Sequence, residues 1–259
     1  MMQMQSSAMC HFDDKLVVDE MVEYSLPCFH SCDAMRFRGI LDSGVLKTHE
    51  CKVFNGEKLL YLFYGRPAYK SNDNLSHQQN HSMPIVFVIR NSVDVNAKRV
   101  CPFDTGAFKN GLFEQYMHRD MKVEDFLLSP GQEGIRKTIA YFFGSNVNYF
   151  FGRAKPEIIC DELDFEVQAY HSLIRSIIPQ LADDRKASIE IQLDHEIQLT
   201  QETIQAVICP SHFTNSRIFK KVVIDELNAV PITYESFGLN SNAYYSEVLK
   251  LVRNYLGIP

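Results

Sequence analysis

The sequence predicts an α+β fold, and three observations carry that expectation. Two short runs are apolar at nearly every position, residues 59–64 and 84–89, and read as strands buried on both faces. Residues 188–193 alternate apolar and polar positions, the pattern of a strand with one dry face. Between and beyond them lie segments with helical spacing, residues 34–41, 134–143, 167–178 and 243–256. The chain has 259 residues, 46% of them hydrophobic, enough for a large packed core. Neither an internal repeat nor a clean linker divides it, so one domain over 1–259 is expected, with inserted loops.

Taken in order, residues 1–15 are polar and read as a loose terminus. Residues 16–22 are too short for periodicity to separate helix from strand. Residues 26–30 begin beside Pro27 and suit the start of a strand. Asp33 offers an N-cap to the helix over 34–41, and Gly44 stops it. Asn55-Gly56 is a strong turn signal before the strand 59–64, which Pro67 ends. Residues 71–83 form a polar loop, a candidate lid or insertion, and the strand 84–89 follows. A helix is expected over 120–128, closed by Ser129-Pro130-Gly131, and another over 134–143. The helix at 167–178 ends at Pro179, and Asp183 to Lys186 is a charged turn. Apolar runs follow at 206–209 and 222–224, and an amphipathic helix closes the chain.

Composition narrows the function classes. Nowhere do eighteen consecutive apolar residues occur, and the N-terminus lacks the basic and apolar stretches of a secretion signal, so a cytoplasmic protein is expected. Seven cysteines at irregular spacing point to reduced thiols. A formal charge of -6 argues against binding driven by many phosphate contacts, while leaving room for a local basic groove. Cys28, His30 and Cys32 alternate along one strand, yet a structural zinc site wants a fourth ligand and a wider loop, so no metal is expected. Asp104-Thr105-Gly106-Ala107 repeats the aspartic-protease tetrad once only, and a turn with an Asp cap is the simpler reading. Phe108 and Lys109 just beyond it could touch a substrate.

One order of elements stands out: a strand with Phe29-His30, a helix with Ile40-Leu41-Asp42-Ser43-Gly44-Val45-Leu46, an aromatic strand with Tyr61-Leu62-Phe63-Tyr64, and a late strand with Ser188-Ile189-Glu190-Ile191. This order resembles the ADP-ribosyltransferase fold, in its histidine-tyrosine-glutamate branch and the DarT-like enzymes. These pieces cover about a quarter of the chain; residues 95–180 match nothing in it, and His30-Ser31-Cys32 stands where that branch commonly has His-x-Thr. The resemblance implies split sheets flanked by helices, NAD as co-substrate, and transfer of ADP-ribose to an acceptor. It implies Glu190 as the carboxylate that stabilises the oxocarbenium-like transition state, and His30 as the anchor of the adenosine ribose, with Ser31 as its amide neighbour. Tyr61 or Tyr64 would stack on nicotinamide; the two cannot share a face, and Tyr64, beside Gly65, is preferred. Arg66 would meet the pyrophosphate. The acidic balance favours a protein or small-molecule acceptor over nucleic acid. The alternative is a non-catalytic module that keeps the fold to bind a nucleotide or a protein.

Overall fold

The computed structural model of the chain describes residues 11–68, 80–91, 96–176, 185–237 and 241–259. Most of the loose terminus, the bulk of the polar loop at 71–83, the Pro179 helix stop and Asp183-Asp184 lie outside the described residues.

The protein is α+β, built on one large mixed sheet with a small two-stranded sheet beside it. In chain order its elements are β1 (Cys28–Asp33), α1 (Ala34–Ser43), β2 (Val45–Leu46), β3 (His49–Glu50), β4 (Lys58–Tyr64), β5 (Pro84–Ile89), β6 (Arg99–Cys101), α2 (Thr105–Lys109), α3 (Gln132–Phe142), α4 (Asn146–Phe150), α5 (Phe165–Arg175), β7 (Glu190–Leu193), β8 (Ile197–Gln198), β9 (Ile204–Pro210), α6 (Arg217–Phe219), β10 (Val230–Tyr234) and α7 (Tyr245–Leu256). Across the large sheet the strands run β10-β9-β5-β1-β4-β7-β6, with β3 added beside β4; β2 with β8 makes the small one. Among the described residues only β9 and β10 pair in parallel. The runs with no polar face, β4 and β5, take interior places, where both faces are covered and continuous apolar character is stable.

The punctuation around α1 works as its residues dictate. The Asp33 carboxylate accepts from the Arg36 N–H at 2.8 Å, and Gly44 takes φ +68 and donates its N–H to the Ile40 carbonyl. The buried face of α1 carries Phe37, whose ring lies 5.6 Å from that of Phe87 on β5. Elsewhere in the same core Phe12, Phe103, Phe126, Phe142 and Tyr170 gather, with ring centroids 4.8 to 6.2 Å apart.

Two expectations change. Residues 120–128 hold only a single 3-10 turn, Val123–Phe126, because Leu128 instead bridges to Val100 and extends the strand system. Residues 16–22 are neither helix nor strand. The apolar run 222–224 sits in a widened helical stretch, Lys220–Glu226, that continues α6. Among the described residues no helix is long and apolar enough to cross a membrane.

Candidate functional site

The place where the sheet parts is set by two strands sharing one edge of β4. Near its end β4 pairs with β1, Phe63 facing Phe29 and Tyr64 facing Cys28. Near its start the same edge pairs with β3, Leu59 facing His49 and Lys58 facing Glu50. Between these pairings, at Tyr61, the ladder is interrupted and a backbone carbonyl is left without a strand partner. His30 supplies one: its Nδ1 lies 3.0 Å from the Tyr61 carbonyl oxygen. Since a carbonyl only accepts, Nδ1 carries the proton. In the neutral ring Nε2 is then an acceptor, and burial, followed by the charges of His49 and Arg36, pushes the imidazole down to about 4. The ring stays neutral at physiological pH.

The wedge opened by this parting encloses about 280 Å³, lined by β1 at His30 and Ser31, by α1 at Arg36 and Ser43, and by Lys47 and His49. Three cationic or protonatable side chains besides His30 therefore face one small space in a chain whose formal charge is -6. The Ser31 hydroxyl is buried and has no hydrogen-bond partner among the described residues.

Glu190 occupies a second locus on the other side of β4. The register sets Glu190 opposite Phe63, and Gln192 opposite Tyr61, so these four side chains share one face; Phe29 shares it too, and His30 and Tyr64, each one residue out of phase, point to the other. Glu190 is 2% exposed, not on a wet face as strand alternation alone would have it. One carboxyl oxygen accepts from the Thr105 hydroxyl at 2.7 Å and from Gln192 Nε2 at 2.7 Å, and the other accepts from the Thr105 N–H at 3.1 Å. Burial, then the Asp104 carboxylate, outweighs those donors and pushes the group up to about 8. Burial and the Asp104 charge thus favour the protonated form of Glu190. Gln192 is fixed in turn by Arg99, whose Nε donates to its Oε1 at 2.8 Å; the guanidinium also grips Glu57, holding that carboxyl down to about 2, and lies 3.8 Å over the Phe54 ring. Asp104 caps α2 by accepting from the Ala107 N–H at 2.7 Å, so the Asp-Thr-Gly-Ala stretch is a helix start. Phe108 stacks on Phe103, and Lys109 is exposed at the edge of a neighbouring hollow.

Of the residues expected to form one site, the structure brings His30 and Ser31 to the wedge and sets Tyr61 between the wedge and Glu190. The Tyr61 backbone holds His30, while its ring lies on the Glu190 face with its hydroxyl 2.8 Å from Cys51 Sγ. Two expectations are corrected. Tyr64 is fully buried on the opposite face from Glu190, its hydroxyl accepting from the Leu26 N–H at 3.2 Å and its ring stacked 4.6 Å from Tyr24, so it is core and offers no face to a ligand. Arg66 is 2% exposed, beyond the Gly65 turn, donating to the Tyr149 carbonyl at 3.4 Å; it does not line the wedge. Glu190 and His30 do not face one another, since β4 runs between them.

Arg36, Lys47 and His49 were not among the expected site residues, nor were Thr105 and Gln192. Basic residues on both sides of the Gly44 stop, in an acidic chain, were the signal for the first three. The pairing of Thr105 with Glu190 spans 85 positions and leaves no local trace. Among the described residues no three His, Cys, Asp or Glu side chains gather closely enough to hold a metal ion. Comparison with protein-family models, with curated proteins and with solved structures finds no match for the chain.

Proposed function

We propose that the wedge binds the sugar-phosphate part of a nucleotide, that the nucleotide is NAD, and that the chain transfers ADP-ribose from it to an acceptor. The observation that carries this is the state of His30. Its Nδ1–H is committed to Tyr61, so its Nε2 lone pair remains for a hydroxyl donor, as a ribose provides. Around it Arg36, Lys47 and His49 attract phosphate, which only accepts. A ligand carrying both groups fits the set. Small-molecule sites span about 300–1,000 Å³; at about 280 Å³ the wedge takes a ribose and its phosphate, with the rest of a dinucleotide lying outside it.

Transfer needs a carboxylate at the positive charge that develops on the ribose as the nicotinamide bond breaks; with the adenosine end in the wedge, the nicotinamide end has to cross β4 to reach Glu190 on the other face. Only the ionised carboxylate does this, so turnover belongs to pH values near and above 8 and requires Thr105 to release the group. Tyr61, not Tyr64, is then the aromatic ring beside the reacting carbon. The chain's charge of -6 favours a protein or small molecule as acceptor.

The seal over Glu190 favours a second reading, a non-catalytic nucleotide-binding module. Calorimetry with NAD, paired with a nicotinamide-release assay at pH 9, separates the two. NAD binding is expected to weaken at least tenfold in Arg36→Glu and Lys47→Glu, while Glu190→Gln keeps binding and loses release. Binding without release selects the module. Absence of NAD binding refutes both.

A further inference from the structure

The loop at residues 157–165, leading into α5, presents three large apolar side chains to water: Ile159 is 93% exposed, Leu163 73% and Phe165 53%. Glu157, Asp161 and Glu162 are exposed among them. The backbone is firmly held. The Tyr141 hydroxyl donates to the Ile159 carbonyl at 2.5 Å, the Asp161 carboxylate accepts from the Leu163 N–H at 2.9 Å, and Gln168 Nε2 donates to the carbonyls of Asp161 and Glu162 at 3.2 and 3.1 Å. A rigid loop that keeps apolar side chains in water is the signature of an interface.

The same chain carries a receptor of matching character. Between α1 and α6 lies a groove of about 730 Å³, with an apolar floor of Phe37, Leu41, Phe213, Ile218 and Phe219. Its rim is basic: Arg38 and His212 line it, and α6 with the residue after it carries exposed Arg217 and Lys220. The single carboxylate on the lining, Asp42, pairs with Arg38 at 3.8 Å, so the excess positive charge of the rim lies on Arg217 and Lys220. An acidic rim around apolar anchors thus faces a basic rim around an apolar floor.

We infer that the 157–165 loop of one copy docks in the α1–α6 groove of a second copy. The groove sits by β5, through Phe37 against Phe87. The loop belongs to the helices beside β6, where Tyr170 of α5 donates to the Pro102 carbonyl at 2.9 Å. These are different regions of the strand order, so each copy offers a loop to one neighbour and a groove to another. The association is head to tail.

Sedimentation velocity on the full chain, from about 1 μM to about 100 μM, tests this. The average mass is expected to rise with concentration past that of a dimer, and to fall with added salt as the charged rims are screened. Leu163→Asp damages the loop and Arg38→Glu the groove, each at an exposed side chain, and each alone weakens association at least tenfold. Mixed in equal amounts, the two variants form a species that stops at the dimer, because the intact groove of the first takes the intact loop of the second. Glu162→Lys is a second loop variant, to be used if Leu163→Asp does not fold. A wild type that stays monomeric overturns the inference, as does association that neither variant weakens, or a mixture that forms no dimer.

Discussion

Replacing Glu190 with glutamine isolates the energetic role of the buried carboxyl. The group is 2% exposed, and burial together with Asp104 pushes it up to about 8 despite three hydrogen bonds that favour the anion. Between the ordinary carboxylate range and about 8, the folded protein holds a proton that the unfolded chain has released. Wild-type stability therefore falls as pH rises through that window, by up to about 1.4 kcal/mol per pH unit from this group. Summed from pH 6 to pH 9 the loss is roughly 2–3 kcal/mol. Glutamine is close in shape and neutral throughout, so the variant lacks the slope. At pH 6 it should be less stable than the wild type by about 1 kcal/mol, because one of its amide hydrogens meets donors from Thr105 or Gln192 and a hydrogen bond is lost. By pH 9 the order should reverse. Urea unfolding of both proteins at pH 6, 7, 8 and 9 measures the difference directly. A difference that stays flat over this range, or a wild type that gains stability as pH rises, would show that Glu190 is ionised in the folded protein and refute the reasoning.

Other changes test the remaining parts of the site and its frame. If ADP-ribose is transferred, nicotinamide release by the wild type should climb toward tenfold per pH unit below about 8 and level off above it; a rate independent of pH from 6 to 9 removes Glu190 from that role. His30 is held down to about 4, so as pH falls from 6.5 toward 4 the unfolded chain takes up a proton that the folded one refuses, and stability drops by up to about 1.4 kcal/mol per unit; His30→Gln should flatten that limb of the profile, which acid titration followed by circular dichroism will show. At Gly65, φ is +70 and an added Cβ would lie 2.7 Å from Leu26 Cδ1 and 2.9 Å from Tyr149 Cε1, so Gly65→Ala should cost about 3 kcal/mol. At Gly44 φ is +68 with nothing within 4 Å, and Gly44→Ala should cost about 1 kcal/mol. Equal unfolding midpoints for these two variants would contradict the packing around Gly65.

Some of this protein was legible without its fold, for reasons that lie within a few residues of chain. Asp33 caps α1 and Gly44 ends it because an aspartate oxygen reaches an N–H three positions on, and glycine tolerates positive φ. The unbroken apolar character of 84–89 places that strand in the middle of a sheet, and Tyr61 and Tyr64 fall on opposite faces as the period of two requires. What the alternation at Glu190 could not reveal is which face is dry. It establishes only that Glu190 and Gln192 point away from Ile191; the arrival of α2, 85 positions distant through Thr105, closes the second face and raises the carboxyl toward about 8. That Tyr64 belongs to the core was likewise decided by neighbours remote in sequence, since Tyr24 and Tyr149 stack against its ring. Burial, and with it charge state, depends on what packs against a residue, and that is decided by chain segments no local pattern contains.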